Sequence, residues 1–296
     1  MVGGIIASVR QQIDTLARTR PESAPWLARY EAALRLADDP VWDEVTAGLR
    51  LAPDRLSVAP LLAGATLELP AGLAERTVRA VLASAGEGEG LEATALMVLT
   101  DAHHLPALDL IAAAIAQDID QIDALAIGLG VDPDALAVVA HLAALPLLLA
   151  CGRRLSARIP ARWRAGSCPI CGAWPAAAEV RGLERARHLR CGRCGGDWVQ
   201  TAAGCLYCGT TDHEQLGSLV PETNAEAHRV ETCTQCRGYV KTIATIRPWT
   251  PGGVALADLA SVELDLAALE HDYTRPAGPA FDLGLRLTEA PRQGRA

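Results

Sequence analysis

The chain has 296 residues and a formal net charge of −8; it is half apolar but only 4% aromatic. That length suggests about two domains, and aliphatic side chains must build most of the core, since Phe281 is the single phenylalanine. The opening Met1-Val2-Gly3-Gly4-Ile5-Ile6 is too short an apolar run for a signal peptide. The longest later run, Leu142 to Cys151, is about ten residues where a bilayer needs about twenty. The expectation is a soluble, cytoplasmic chain without a membrane span, in a compartment that keeps thiols reduced.

Residues 1–150 carry 9 arginines against 20 acidic residues and read as helices almost throughout. Acidic caps followed by proline mark helix starts at Asp39-Pro40-Val41-Trp42 and Asp132-Pro133-Asp134-Ala135. Apolar residues then recur at helical spacing, as in Leu136, Val139, Ala140 and Ala143; Leu91 to Leu99 and Leu105 to Ile122 fit the same template. No β alternation stands out in this half. Gly86, Gly88 and Gly90 have the wrong spacing for a dinucleotide fingerprint and read as a linker. His103 and His104 are adjacent and point to different sides of a helix, which disfavours a metal pair. Asp118, Asp120 and Asp123 interleave with Ile119 and Ile122 and read as a solvated helix face. Cys151 reads as a buried thiol at a helix end, and the basic stretch from Arg153 to Pro160 as the domain junction.

Between Cys168 and Cys236 one phrase occurs four times: Cys168-Pro169-Ile170-Cys171, Cys191-Gly192-Arg193-Cys194, Cys205-Leu206-Tyr207-Cys208 and Cys233-Thr234-Gln235-Cys236. A C-x-x-C loop places two sulfurs on one side of a tight turn, so two loops can close a tetrahedral shell around one metal ion. Gly172, Gly195 and Gly209 directly follow three of the knuckles, and Gly238 stands one residue later in the fourth; such a turn needs a residue that tolerates positive φ. Nineteen residues separate Cys171 from Cys191 and twenty-four separate Cys208 from Cys233. Sequential pairing of the knuckles is simplest, and an interleaved pairing stays open. The candidate metal ligands are Cys168, Cys171, Cys191, Cys194, Cys205, Cys208, Cys233 and Cys236. Strands are expected over Trp198–Gln200, Leu216–Val220 and Tyr239–Ile243. Beyond Gly253 a helix is expected from Leu256 to about Tyr273, with Leu259, Val262, Leu266 and Leu269 on one face, before a tail of little pattern.

The fold class expected is α+β: an N-terminal all-helical domain (1–160), a double rubredoxin- or zinc-ribbon-like module of four knuckles (161–250), and a C-terminal helix and tail (251–296). Closed four-cysteine shells leave no open position for a substrate, which disfavours a catalytic metal. A thioredoxin-like role wants a β-α-β context that is absent. Residues 151–196 carry 10 arginines against Glu179 and Glu184, a footprint that keeps a zinc-ribbon nucleic-acid binder as the alternative. The rest of the chain is acidic, however. Arg187, Arg190 and Arg193 could instead offset the formal charge of two thiolate-bound divalent ions. His213 and His228 read as surface residues of the ribbon loop.

The wording around the knuckles resembles the formate dehydrogenase accessory protein family, FdhE. Ser167 to Pro175 resembles that family's first knuckle, Arg187 to Cys194 with Asp197-Trp198 its second, and Glu231 to Lys241 its fourth. Ala257 to Asp265 resembles its closing helix, with Tyr273 at the end. The likeness covers roughly residues 160–275; Gly278-Pro279-Ala280-Phe281 stands where the family commonly has Asn-Pro-Phe. The resemblance implies a cytoplasmic, non-enzymatic maturation factor that binds the catalytic subunit of formate dehydrogenase. It implies rubredoxin-like modules holding iron at the eight cysteines, with zinc equally acceptable to tetrahedral sulfur. A homo-oligomer is compatible with it.

Overall fold

The computed structural model describes residues 4–53, 59–84, 99–100, 105–200, 204–222 and 225–291. The expected linker at Gly86, Gly88 and Gly90, the pair His103-His104 and all but the last residue of the Leu91–Leu99 helix lie outside them.

The first half is built of α1 (Ile5–Thr19), α2 (Ala24–Ala37), α3 (Val41–Ala47), α4 (Leu73–Ala83), α5 (Ala107–Ala116), α6 (Ile119–Leu129) and α7 (Pro133–Leu155). Asp39 Oδ1 accepts from Val41 N at 2.9 Å, and Asp132 Oδ1 accepts from Ala135 N at 2.9 Å, so both acid–proline starts cap helices. The stretch Leu105–Ile122 is not one helix. Gln117 takes a left-handed φ of 59° and ends α5, and Asp118 caps α6 through Gln121 N. Asp120 is exposed, in keeping with a solvated face.

Helix α7 is the axis of the fold. It runs through Pro146 and packs against α2, α3, α4, α5 and α6, burying Leu136, Val139, Ala143, Leu147 and Cys151 among others. With its short continuation to Arg158 it is long and apolar enough to cross a membrane by length and composition, beyond the ten-residue run read from sequence. In this structure 83% of its most apolar window is buried among other helices.

Among the described residues one strand interrupts the helical half. β1 (Thr66–Leu69) lies parallel to β8 (Arg286–Glu289), with Thr66 opposite Arg286 and Leu69 opposite Glu289. This corrects both the all-helical reading of the first half and the patternless reading of the tail. Each strand is four residues long, and its partner lies over two hundred residues away, so neither carries a local signal.

The middle of the chain forms a six-stranded sheet of β2 (Ala177–Arg181), β3 (Ala186–Arg190), β4 (Asp197–Val199), β5 (Leu216–Leu219), β6 (His228–Cys233) and β7 (Tyr239–Thr245). The order is β4-β3-β2-β7-β6-β5, antiparallel except for the central parallel pair β2–β7. It consists of two copies of one unit. In each, a knuckle leads into a hairpin, a second knuckle follows the hairpin, and a third strand pairs back; β2 of one copy then joins β7 of the other. The three expected strands are present, and β2, β3 and β6 are additional.

The expected C-terminal helix is two helices, α8 (Val254–Ala260) and α9 (Val262–Glu270), broken at buried Ser261. The break rotates the buried face. Leu264 and Ala268 pack against Val230 and Tyr239, whereas Leu266 and Leu269 are 56% and 52% exposed.

Candidate metal centres

The four knuckles share one backbone pattern. The N–H of the first cysteine donates to the carbonyl five residues on: Cys168 to Ala173, Cys191 to Gly196, Cys205 to Thr210 and Cys233 to Gly238, all at 2.8–2.9 Å. In the first three, the N–H of Gly172, Gly195 or Gly209 donates back to the first cysteine's carbonyl, and each glycine has φ between 70° and 74°. In the fourth the left-handed position belongs to Arg237, at φ 57°, and not to Gly238. Its guanidinium donates to the carbonyls of His271 and Asp272 and lies 4.4 Å from the Tyr273 ring centroid. Contacts that glycine lacks hold the side chain in that conformation and tie the knuckle to the end of α9. Gly238 is needed beside it, because a Cβ there would stand 2.5 Å from the Tyr207 ring.

The folded chain pairs the knuckles sequentially. Cys168, Cys171, Cys191 and Cys194 form one group of sulfurs, and Cys205, Cys208, Cys233 and Cys236 another, each with all sulfurs within 4.8 Å of one another. The closest approaches are 3.5 Å for Cys168–Cys194, Cys171–Cys191 and Cys205–Cys236, and 3.8 Å for Cys208–Cys233. A tetrahedral shell with metal–sulfur bonds of about 2.3 Å has edges of about 3.8 Å, so both groups have the dimensions of such a shell, and none of the eight thiols is in a disulfide. Backbone N–H groups face the sulfurs, as at Cys194 N to Cys191 Sγ (3.5 Å) and Tyr207 N to Cys205 Sγ (3.4 Å). The donor set fits a soft divalent ion. Burial pushes the Cys168 thiol well above its ordinary range, while hydrogen bonds from neighbouring thiols push Cys191 well below its own. Cys151 joins neither group; burial pushes its pKa up to about 12, and it remains a core thiol. Nor do His213 and His228 join either group.

The two groups differ in their surroundings. All four cysteines of the first are at most 1% exposed and belong to the same apolar core as α1 to α7. Leu61 N and Leu62 N donate to Pro169 O and Ile170 O of the first knuckle. Pro251 presses on Gly195, and Gly172 faces Pro60 and Phe281. In the second group Cys233 is buried, Cys205 is half-buried, and Cys208 and Cys236 are exposed. The groups are joined where Gly166 abuts the Leu206 carbonyl and Trp174 meets Tyr207 edge-on at 5.0 Å.

The arginines near the knuckles have other work than offsetting thiolate charge. Arg190 pairs with buried Glu179 and donates to Trp249 O. Arg187 pairs with Glu231 at 2.6 Å, Arg181 with Glu179 and Asp197, and Arg193 donates to Ala114 O near the end of α5. Within the sheet, three of the ten arginines of 151–196, Arg181, Arg187 and Arg190, are thereby paired with carboxylates. Sequence reasoning also missed a network around Lys241, the single lysine. This fully buried side chain pairs with Asp258 and Asp265 at 2.7 Å each. Arg275 bridges the same two carboxylates, and Tyr239 donates to Asp265. This network anchors α8 and α9 to β7.

Residues 203–281 match the family profile described as FdhE, C-terminal domain. Proteins named as FdhE homologs match as well. That of Aquifex aeolicus is 32% identical over 117 residues, 38% of this chain and 41% of that protein. That of Stutzerimonas stutzeri is 34% identical over 114 residues, 37% and 36% of the two. The crystal structure of the FdhE protein from Pseudomonas aeruginosa superposes over 94% of this chain and 95% of that one, with a TM-score of 0.60 at 22% identity. The C-terminal part of the chain is thus similar in sequence to FdhE proteins, and the fold is like that of an FdhE protein over nearly its whole length. The curated FdhE relatives are matched over only about two fifths of their length, while the likeness of fold to the Pseudomonas aeruginosa FdhE runs nearly the full chain. Two four-cysteine groups that could hold a metal ion sit on that fold.

Proposed function

We propose that this chain is a cytoplasmic accessory factor of formate dehydrogenase that binds the enzyme's catalytic subunit and assists its assembly. In this reading the eight cysteines hold one ion in each group. Residues 161–250 form the metal module, seated on the helices of 1–160 and clasped by 251–296. The observation that carries it is the pair of closed four-sulfur groups on an FdhE-like fold. Four protein ligands per ion leave no position for substrate or activated water, which supports a non-enzymatic role. The internal pairing of Arg181, Arg187 and Arg190 takes three of the ten arginines of 151–196 out of the basic footprint that a nucleic-acid partner would need.

Iron is favoured by the family resemblance and would supply one-electron chemistry; zinc would be structural alone. The residues themselves hold the ions in place: the knuckle N–H groups favour thiolate, and the core around the first group excludes water.

The test is capture of purified formate dehydrogenase catalytic subunit by the immobilised full chain, with the assembled enzyme and an unrelated subunit as controls. Retention of the unassembled subunit above both controls is expected. Equal retention of all three would overturn the partner assignment.

A further inference from the structure

The two sulfur groups have the same knuckles and nearly the same sulfur spacing, but opposite access to solvent. The first is sealed: its four cysteines are at most 1% exposed, with α7, Pro251 and the Pro60–Leu62 segment packed around them. The second has Cys208 and Cys236 at the surface. A cavity of about 370 Å³ opens beside it, lined by Gly204, Cys205, Tyr207, Ser218, Cys233 and Tyr239. Solvent thus reaches this group at its exposed sulfurs, with a cavity beside it. Sealing and opening are built by the fold, since the knuckle backbones are alike.

Building on the reading that each group holds one ion, we propose that the second group is an exchangeable site and the first a permanent one. At the second group an incoming soft ligand, such as a chelator or the thiolate of a partner cysteine, can bond to the ion while one protein sulfur–metal bond breaks. The displaced cysteine leaves as a thiolate with its own electron pair, and no electron changes hands. Cys208 and Cys236 are the sulfurs that can swing away, because little protein covers them. Cys205 and Cys233, held by the sheet and by Tyr207 N, keep the ion in place meanwhile. The same exchange at the first group requires local unfolding of the core that surrounds it.

The full-length chain is loaded with Zn²⁺ to two ions per chain, then mixed with the chromophoric chelator 4-(2-pyridylazo)resorcinol. In parallel, iodoacetamide labelling is followed by peptide mass mapping. One ion should leave at least roughly tenfold faster than the other, since only the sealed site must unfold locally first. Label should appear first on Cys205, Cys208, Cys233 and Cys236. Two ions leaving at one rate, or early labelling of Cys168 or Cys171, would overturn the proposal while leaving two metal sites standing. Failure to load two ions would overturn the proposal together with the reading beneath it.

Discussion

Gly152 of α7 lies directly against the backbone of Cys194: a Cβ built on it would stand 1.9 Å from the Cys194 carbonyl oxygen. The long apolar helix and the second knuckle therefore touch main chain to main chain, and the first sulfur group is part of the helical core. Gly152→Ala must push the knuckle away. Overpacking of this kind costs about 1–3 kcal/mol, against about 1 kcal/mol gained in helix propensity. We expect a net loss in denaturant unfolding and a weaker hold on the first ion; a variant as stable as the parent would contradict the contact.

Cysteine substitutions should separate the two groups. Cys171→Ser and Cys208→Ser are each expected to lower bound metal by one ion per chain. Cys171→Ser, in the core, should lower the thermal midpoint several times more than Cys208→Ser, because the sealed site is continuous with α1 to α7. Equal midpoints would show that the first group is not a keystone of the core.

Lys241 is fully buried and holds two partly buried carboxylates, Asp258 and Asp265. Lys241→Met is expected to cost about 3–5 kcal/mol, the usual consequence of removing one partner from a buried ionic cluster. Amide hydrogen exchange should rise in α8 and α9, which the cluster anchors to β7.

The same cluster sets an acid limit. Burial pushes the Asp258 carboxyl up, but Arg275 and Lys241 outweigh it and hold it below the usual range. Glu179 is likewise held low, by Arg181, Thr245, Arg190 and the Trp249 N–H against its burial. Depressed folded-state values contribute stability that is fully present above the unfolded carboxylate pKa of about 4. That stability is lost as pH falls through the folded values. Denaturant midpoints should be flat in this respect above pH 5 and fall below pH 4; a midpoint unchanged down to pH 3 would contradict the pairing.

Arg237 allows a test of the fourth knuckle. Arg237→Gly relieves the left-handed conformation but removes the hydrogen bonds to His271 and Asp272. Metal content should stay at the parent level while amide exchange rises over residues 262–275. Loss of metal instead would place the arginine in the site itself.

The knuckles were legible because a two-residue spacing is local; sequential grouping was only the simplest reading, and the fold decides it. The acid–proline helix starts at Asp39 and Asp132 were legible for the same reason. Half of the sheet was not: β2 and β6 contain Glu179, Arg181, Arg229 and Glu231, which pair with one another and with other charges where sequence patterning looks for apolar alternation. The same pairing hid the partner of Arg187, since Glu231 lies 44 residues away. The face of the last helix was misplaced because Ser261 breaks it, and one unforeseen break shifts every later residue. The pairing of β1 with β8 depends wholly on tertiary context.

The central claim is that both four-cysteine groups hold a metal ion. The most direct measurement is metal content by elemental analysis and native mass spectrometry of the full chain purified without oxygen or added metal. The optical spectrum is then recorded before and after exposure to air. Two ions per chain are predicted, with thiolate-to-iron charge-transfer bands on oxidation if the ion is iron and none in the visible if it is zinc. Less than one ion per chain, with disulfides forming inside the C-x-x-C pairs, would contradict the account.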